Sequence, residues 1–126
     1  MQGRNRNRQN KDNSINFILT IGTMDFLTID IVKQYCRIDL YSEDEKEQKR
    51  INDTVRICAN KGEEAVYDEI GLNYFQIIRE YGKVPSPIRH ASLIATSEFL
   101  IGERNPEENY AFKLLLKPYK RKKTKQ

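Results

Sequence analysis

From residue 28 onward the apolar positions of the chain recur every three or four residues, the spacing of a helix with one buried face. Ile29, Val32, Tyr35 and Cys36 form a first short stripe, with Thr28 placed to cap it and Asp30 near the positive end of its dipole. Ser42-Glu43-Asp44-Glu45 reads as a capping box with Ser42 at the N-cap. Behind it, Ile51, Val55, Cys58, Gly62, Ala65/Val66 and Ile70 predict a long second helix with one face buried and a slight bend at Gly62. Asn73 is placed to cap a shorter helix with Phe75, Ile78 and Tyr81 inward and Gly82 as its stop.

The segment "VPSPIRHASLIATSEFLIGERNP", 84–106, differs from the others. Ser86 as N-cap with Pro87 behind it predicts a helix start, and Asn105-Pro106 repeats that device for a last helix with Tyr110, Ala111, Leu114 and Leu115 inward, ended by Pro118. Between the prolines, Ile88, Ala91, Ala95 and Phe99 make one stripe while Leu93, Ile94, Leu100 and Ile101 lie around the rest. A helix apolar on most sides must be covered on most sides. Either the other helices wrap it or a neighbouring subunit completes its cover, and periodicity leaves both open. Ile88, Ala91, Ile94, Ala95, Phe99 and Ile101 are therefore the candidate residues for core or subunit interface.

Before residue 24 the pattern changes. Residues 2–13 are polar and of low complexity, and Ile15, Phe17, Leu19 and Ile21 alternate weakly, as in a short strand. The expected organisation is a polar extension at 1–23, a helical domain at 24–117 and a basic tail at 118–126. The fold class that follows is all-α: a small bundle of four to five helices with a long second helix, flexible basic termini and a possible short N-terminal strand.

Composition sharpens this picture mainly through charge. The chain of 126 residues has 22 Lys/Arg and 18 Asp/Glu, but residues 13–116 keep 12 of the bases and 17 of the acids. Arg4, Arg6, Arg8 and Lys11 open the chain, and Lys117, Lys120, Arg121, Lys122, Lys123 and Lys125 close it. A polyanion would therefore meet the tails and not the body.

The residues that carry chemistry are sparse. His90 is the one histidine, beside Arg89 in the first turn of an apolar helix, which suits a capping or interface role and not a catalytic base. Cys36 and Cys58 are too far apart for a CxxC pair, so no metal site and no cofactor are expected, and both cysteines are expected to be reduced. Glu63-Glu64 and Asp68-Glu69 read as a solvated helix face. No phosphate loop or zinc-protease motif occurs, and no run of apolar residues approaches a membrane span. These features predict an intracellular protein that is not an enzyme and does not enter a membrane.

The order of the pieces carries a resemblance. "LTIDIVKQYCRID" (27–39), "SEDE" (42–45), the 84–106 helix and "LLLKPYKR" (114–121) follow one another at the spacing of a known pattern. In these four pieces and in length the chain resembles the small head-tail connector (adaptor, or head-completion) proteins of tailed double-stranded DNA bacteriophages. Residues 1–23 have no counterpart in that pattern, and "IGER" replaces its usual aromatic and Arg-Glu pair.

The resemblance implies a helical wedge that stacks side by side into a homo-oligomeric ring of about a dozen copies beneath the portal. Such a ring extends the channel through which genomic double-stranded DNA passes and gives the tail, or further connector proteins, a surface to dock on. Its location would be the head-tail interface of the virion, reached from the host cytoplasm. By the same resemblance, Leu115, Leu116, Pro118, Tyr119, Lys120 and Arg121 would bind the portal protein. Lys122, Lys123 and Lys125 are candidates for contact with nucleic acid, or for nothing more than a solvated tail. The alternative reading is a small helical nucleic-acid-binding regulator that uses its basic tails, and a weaker one is an assembly chaperone that leaves before maturation.

Overall fold

The computed structural model describes residues 24–38, 44–102 and 104–121. The alternation at residues 15–21, Ser42 and Glu43, and the cations Lys122, Lys123 and Lys125 lie outside the described residues. Among the described residues there are five α-helices: α1 (Ile29–Cys36), α2 (Glu45–Ile70), α3 (Tyr74–Tyr81), α4 (Ser86–Gly102) and α5 (Tyr110–Leu116). Single 3-10 turns stand at Pro106–Glu108 and Lys117–Tyr119, and no strand occurs among the described residues. The all-α bundle with a long second helix is therefore the fold.

Local chemistry sets the boundaries. Thr28 caps α1 by accepting the Ile31 N–H at 3.2 Å, and Arg37 ends it in the left-handed region at φ 57. Asp44, not Ser42, caps α2: its carboxylate accepts the Lys46 N–H at 3.0 Å. Asn73 and Gln76 exchange side-chain and backbone hydrogen bonds at 2.8 Å in each direction, a complete capping box for α3. The carbonyl of Pro85 accepts from Arg89, so the cap position falls at Pro85 and Ser86, the predicted cap, is already the first residue of α4. The last helix splits where one start was predicted. Asn105 caps only the 3-10 turn, through Glu107, and Asn109 caps α5, through Phe112.

The core lies around α4, which packs chiefly on α2 and α5 and also touches α1. Six consecutive residues, Ala91 to Thr96, are buried, so the helix is wrapped by its own chain over that length. The close approach of α2 depends on Gly62. A Cβ there would collide with Thr96 Oγ1 and lie 2.8 Å from the Ser92 carbonyl oxygen. Gly62 is thus a contact position, and the hydroxyls of Ser92 and Thr96 stay satisfied inside by bonding to Arg89 O and Ser92 O.

Two buried faces differ from the predicted ones. In α3 the inward residues are Ile77, fully buried, with Tyr74 and Ile78 packed half-buried on the core, while of the predicted inward residues Phe75 points outward at 74% exposure and Tyr81 is exposed too. In α5 the inward residues are Phe112 and Leu116, both fully buried, while Tyr110 is 77% and Leu114 is 52% exposed. The delayed start at Asn109 leaves a short helix in which the i, i+4 pair Phe112 and Leu116 fills the core, Leu115 packs half-buried beside it, and Ala111, predicted inward, is exposed.

Candidate functional site

Three features stand apart from ordinary helix packing: a buried carboxylate at the start of the domain, a C-terminal strap, and a set of outward apolar side chains. The first overturns a sequence expectation. Glu63, read as part of a solvated face, is fully buried. Its Oε1 accepts the Asp25 N–H at 2.8 Å, and its Oε2 accepts those of Phe26 and Leu27, both at 2.9 Å. The signal was in the spacing: Glu63 stands four residues after Ala59 and three before Val66, on the apolar stripe itself.

Burial pushes the Glu63 carboxyl above the usual glutamate range, with the three amides pulling the other way and Asp25 adding a like charge. Above it, the Tyr67 hydroxyl donates to Asp25 Oδ2 at 2.6 Å. Burial, that hydrogen bond and the carboxylates of Glu63, Asp25 and Glu64 raise the Tyr67 phenol far above its ordinary value. The network holds residues 25–27 against α2 and seats Leu27 in the core beside Val32 and Val55. Lys33 is a second buried polar residue that periodicity missed. Its ammonium donates to Gln48 Oε1 at 3.1 Å and so ties α1 to α2.

The second feature is the segment Lys117–Arg121, which does not trail away as a tail. The Arg121 N–H donates to the Ile70 carbonyl at 2.9 Å, and its guanidinium lies 2.7 Å from Glu80 Oε1. Lys120 Nζ is 3.4 Å from Glu69 Oε2, and the Tyr119 ring meets Tyr81 edge to face at 5.5 Å. Of the predicted portal-binding residues, Leu116 is core, and Lys120 and Arg121 are engaged within the chain. Pro118 is exposed, and Leu115 and Tyr119 are half-buried.

Among the predicted core or interface residues, Ile88, Ala91, Ile94 and Ala95 are buried and Phe99 is half-buried under Lys61, whose Nζ lies 5.7 Å from the ring centre. Ile101 is 68% exposed and takes no part in the monomer core. It joins Phe75, Tyr110 and Leu114 as large apolar side chains presented to solvent. Tyr110 and Leu114 are one turn apart on α5, so they form one patch. At the base of that helix, Glu98 holds the linker: its Oε2 accepts from Asn109 Nδ2 at 2.7 Å, and Arg104 Nε lies 3.1 Å from its Oε1.

The remaining chemical candidates are unremarkable in their surroundings. His90 is exposed and meets the Tyr35 ring edge to face at 5.9 Å. Cys36 and Cys58 form no disulfide; burial pushes the Cys36 thiol up, against a hydrogen bond with Ser97. No metal-binding group of His, Cys, Asp or Glu occurs among the described residues, and no described helix is long and apolar enough to cross a membrane. Compared with family models, with curated proteins and with solved structures, the chain matches none.

Proposed function

We propose that this chain is a structural head-tail connector: a helical wedge that assembles side by side into a ring beneath a phage portal, extends the DNA channel and offers the tail a docking surface. One observation carries the reading beyond the order of the sequence pieces. Helix α5 is apolar on two faces, with Phe112 and Leu116 filling the core and Tyr110 and Leu114 facing water. A single small domain has no use for the second face, whereas a subunit with a neighbour does. Phe75 and Ile101 add exposed apolar surface on other elements, and a ring needs two complementary flanks on every copy.

On this reading the portal contact falls to Leu115, Pro118 and Tyr119, which retain accessible surface, and not to Leu116. The acidic body suits a lumen that does not grip phosphates.

Native mass spectrometry and negative-stain imaging test the proposal, on the full chain alone and with a portal protein encoded beside it. Closed rings of about a dozen copies, in either condition, are the expected result. A monomer or dimer in both conditions that retards duplex DNA in a salt-dependent way overturns it in favour of the regulator.

A further inference from the structure

The long helix α2 ends badly on its own. Its last turn has no basic residue and carries Asp68 and Glu69, so carboxylates sit at the negative end of the helix dipole. Its final carbonyls also lack intrahelical donors. The strap Lys117–Arg121 supplies both missing parts. Lys120 brings a cation to Glu69, and the Arg121 N–H takes the carbonyl of Ile70. Gly71 follows at φ 77, with Arg121 Cβ 3.4 Å from where a Gly71 Cβ would stand. The Arg121 guanidinium and the Tyr119 ring then reach Glu80 and Tyr81 at the far end of α3. The strap therefore clamps the ends of two helices whose connecting elbow, Gly71–Asn73, leads directly to the outward Phe75.

The clamp is lightly held. No residue of Lys117–Tyr119 is buried, and the side chains of Lys120 and Arg121 are 53% and 55% exposed. The Arg121–Glu80 pair is exposed on both sides, and such pairs contribute little and weaken with salt, while Lys120 meets a Glu69 side chain that is only 10% exposed. The residue immediately before the strap, Leu116, is fully buried, so release would hinge at Lys117 and leave α5 in place.

We infer that the strap is a gate: its undocking and the loosening of the α2–α3 elbow beside Phe75 are one transition. Engagement of the C-terminal residues elsewhere then alters the surface at Phe75, and packing at Phe75 alters the release of the strap, by reciprocal linkage. The inference rests on the strap's contacts and holds whether or not the chain forms rings.

Amide hydrogen exchange on the full chain tests it. Arg121→Pro deletes the N–H and the guanidinium, and Lys120, at φ −67 and ψ 129, already has the backbone that a residue before proline adopts. Glu69→Gln with Glu80→Gln removes the ion pairs and leaves the backbone alone. Both variants are expected to speed exchange at residues 67–75 by about tenfold, the loss of roughly one hydrogen bond, with α4 unchanged and Lys117→Ala behaving as wild type. The reciprocal arm is Asn73→Ala, which weakens the elbow's capping box and is expected to speed tryptic cleavage after Lys120. Exchange that accelerates equally through α4, no acceleration at residues 67–75, or unchanged cleavage in Asn73→Ala each overturns the coupling.

Discussion

Glu63 Oε2 accepts the backbone N–H of Leu27 at 2.9 Å, across 36 residues of chain, and accepts that of Phe26 with the same oxygen. One carboxylate oxygen thus ends two donors, and the other ends a third at Asp25. No uncharged side chain of that size offers two acceptor oxygens. Glu63→Gln keeps one acceptor and turns an NH2 group toward at least one amide donor. The variant is expected to lose about 1–3 kcal/mol, read as a lower urea midpoint with the same slope. The loss should be local first: limited proteolysis before residue 28 should quicken more than cleavage elsewhere.

The same group gives a pH dependence whose sign follows from burial. The folded-state pKa of Glu63 lies above the ordinary glutamate value, with loss of water around the buried carboxylate the largest cause. The folded chain therefore holds this proton more tightly than the unfolded chain does. Stability from that difference is fully present below the unfolded value and is lost as pH rises through the folded one. The stability margin of wild type over Glu63→Gln should accordingly be larger near pH 5 than near pH 7, measured by urea unfolding of both proteins at each pH. An equal margin at both would place the ionised carboxylate at no disadvantage in its site.

Gly62 allows α2 to lie against α4 with almost nothing between the backbones. A methyl group at that position meets Thr96 Oγ1, the Ser92 carbonyl oxygen at 2.8 Å and the Thr96 N at 2.9 Å. Two of these three are backbone atoms, so no side-chain rotation relieves the overlap. Gly62→Ala should therefore destabilise by about 1–3 kcal/mol despite the better helix propensity of alanine. A thermal melt decides it: a rise in midpoint would mean that the two helices move apart without loss.

The helices, and two of their five N-caps, Thr28 and Asn73, were legible in the sequence because stripes and capping residues act over a few residues. Thr28, Asn73 and Gly82 end or begin helices as their spacing says. What was not legible depended on phase or on long-range partners. In α3 the inward i, i+3, i+4 set is Tyr74, Ile77 and Ile78, and counting from Phe75 shifts it by one. In α5, "YAFKLLL" has one polar residue, so periodicity cannot select the inward face. The burial of Glu63 was legible in its place on the apolar stripe, but the partners that permit it, the amides of 25–27, and the Gln48 partner of Lys33 are set by tertiary contact. The strap was missed for the same reason: cations at a chain end look solvated until Glu69 and Glu80 are brought to them.

The two faces of α5 allow folding and assembly to be separated by substitution. Phe112 is fully buried, and Phe112→Ala should cost about 3–5 kcal/mol in a chemical denaturation. Tyr110 and Leu114 lie on the opposite face at 77% and 52% exposure, so Tyr110→Ser with Leu114→Ser should change stability by less than about 0.5 kcal/mol. If that face is a subunit contact, the double variant should fold normally and form no rings, either alone or with the portal protein. Phe75→Ser, on α3, should behave in the same way if it stands on the second flank. Normal rings from the α5 double variant would remove this face from the interface, because two polar residues at the centre of an apolar contact leave too little to hold it. A strong loss of stability in the same variant would instead mean that Tyr110 and Leu114 support their own chain.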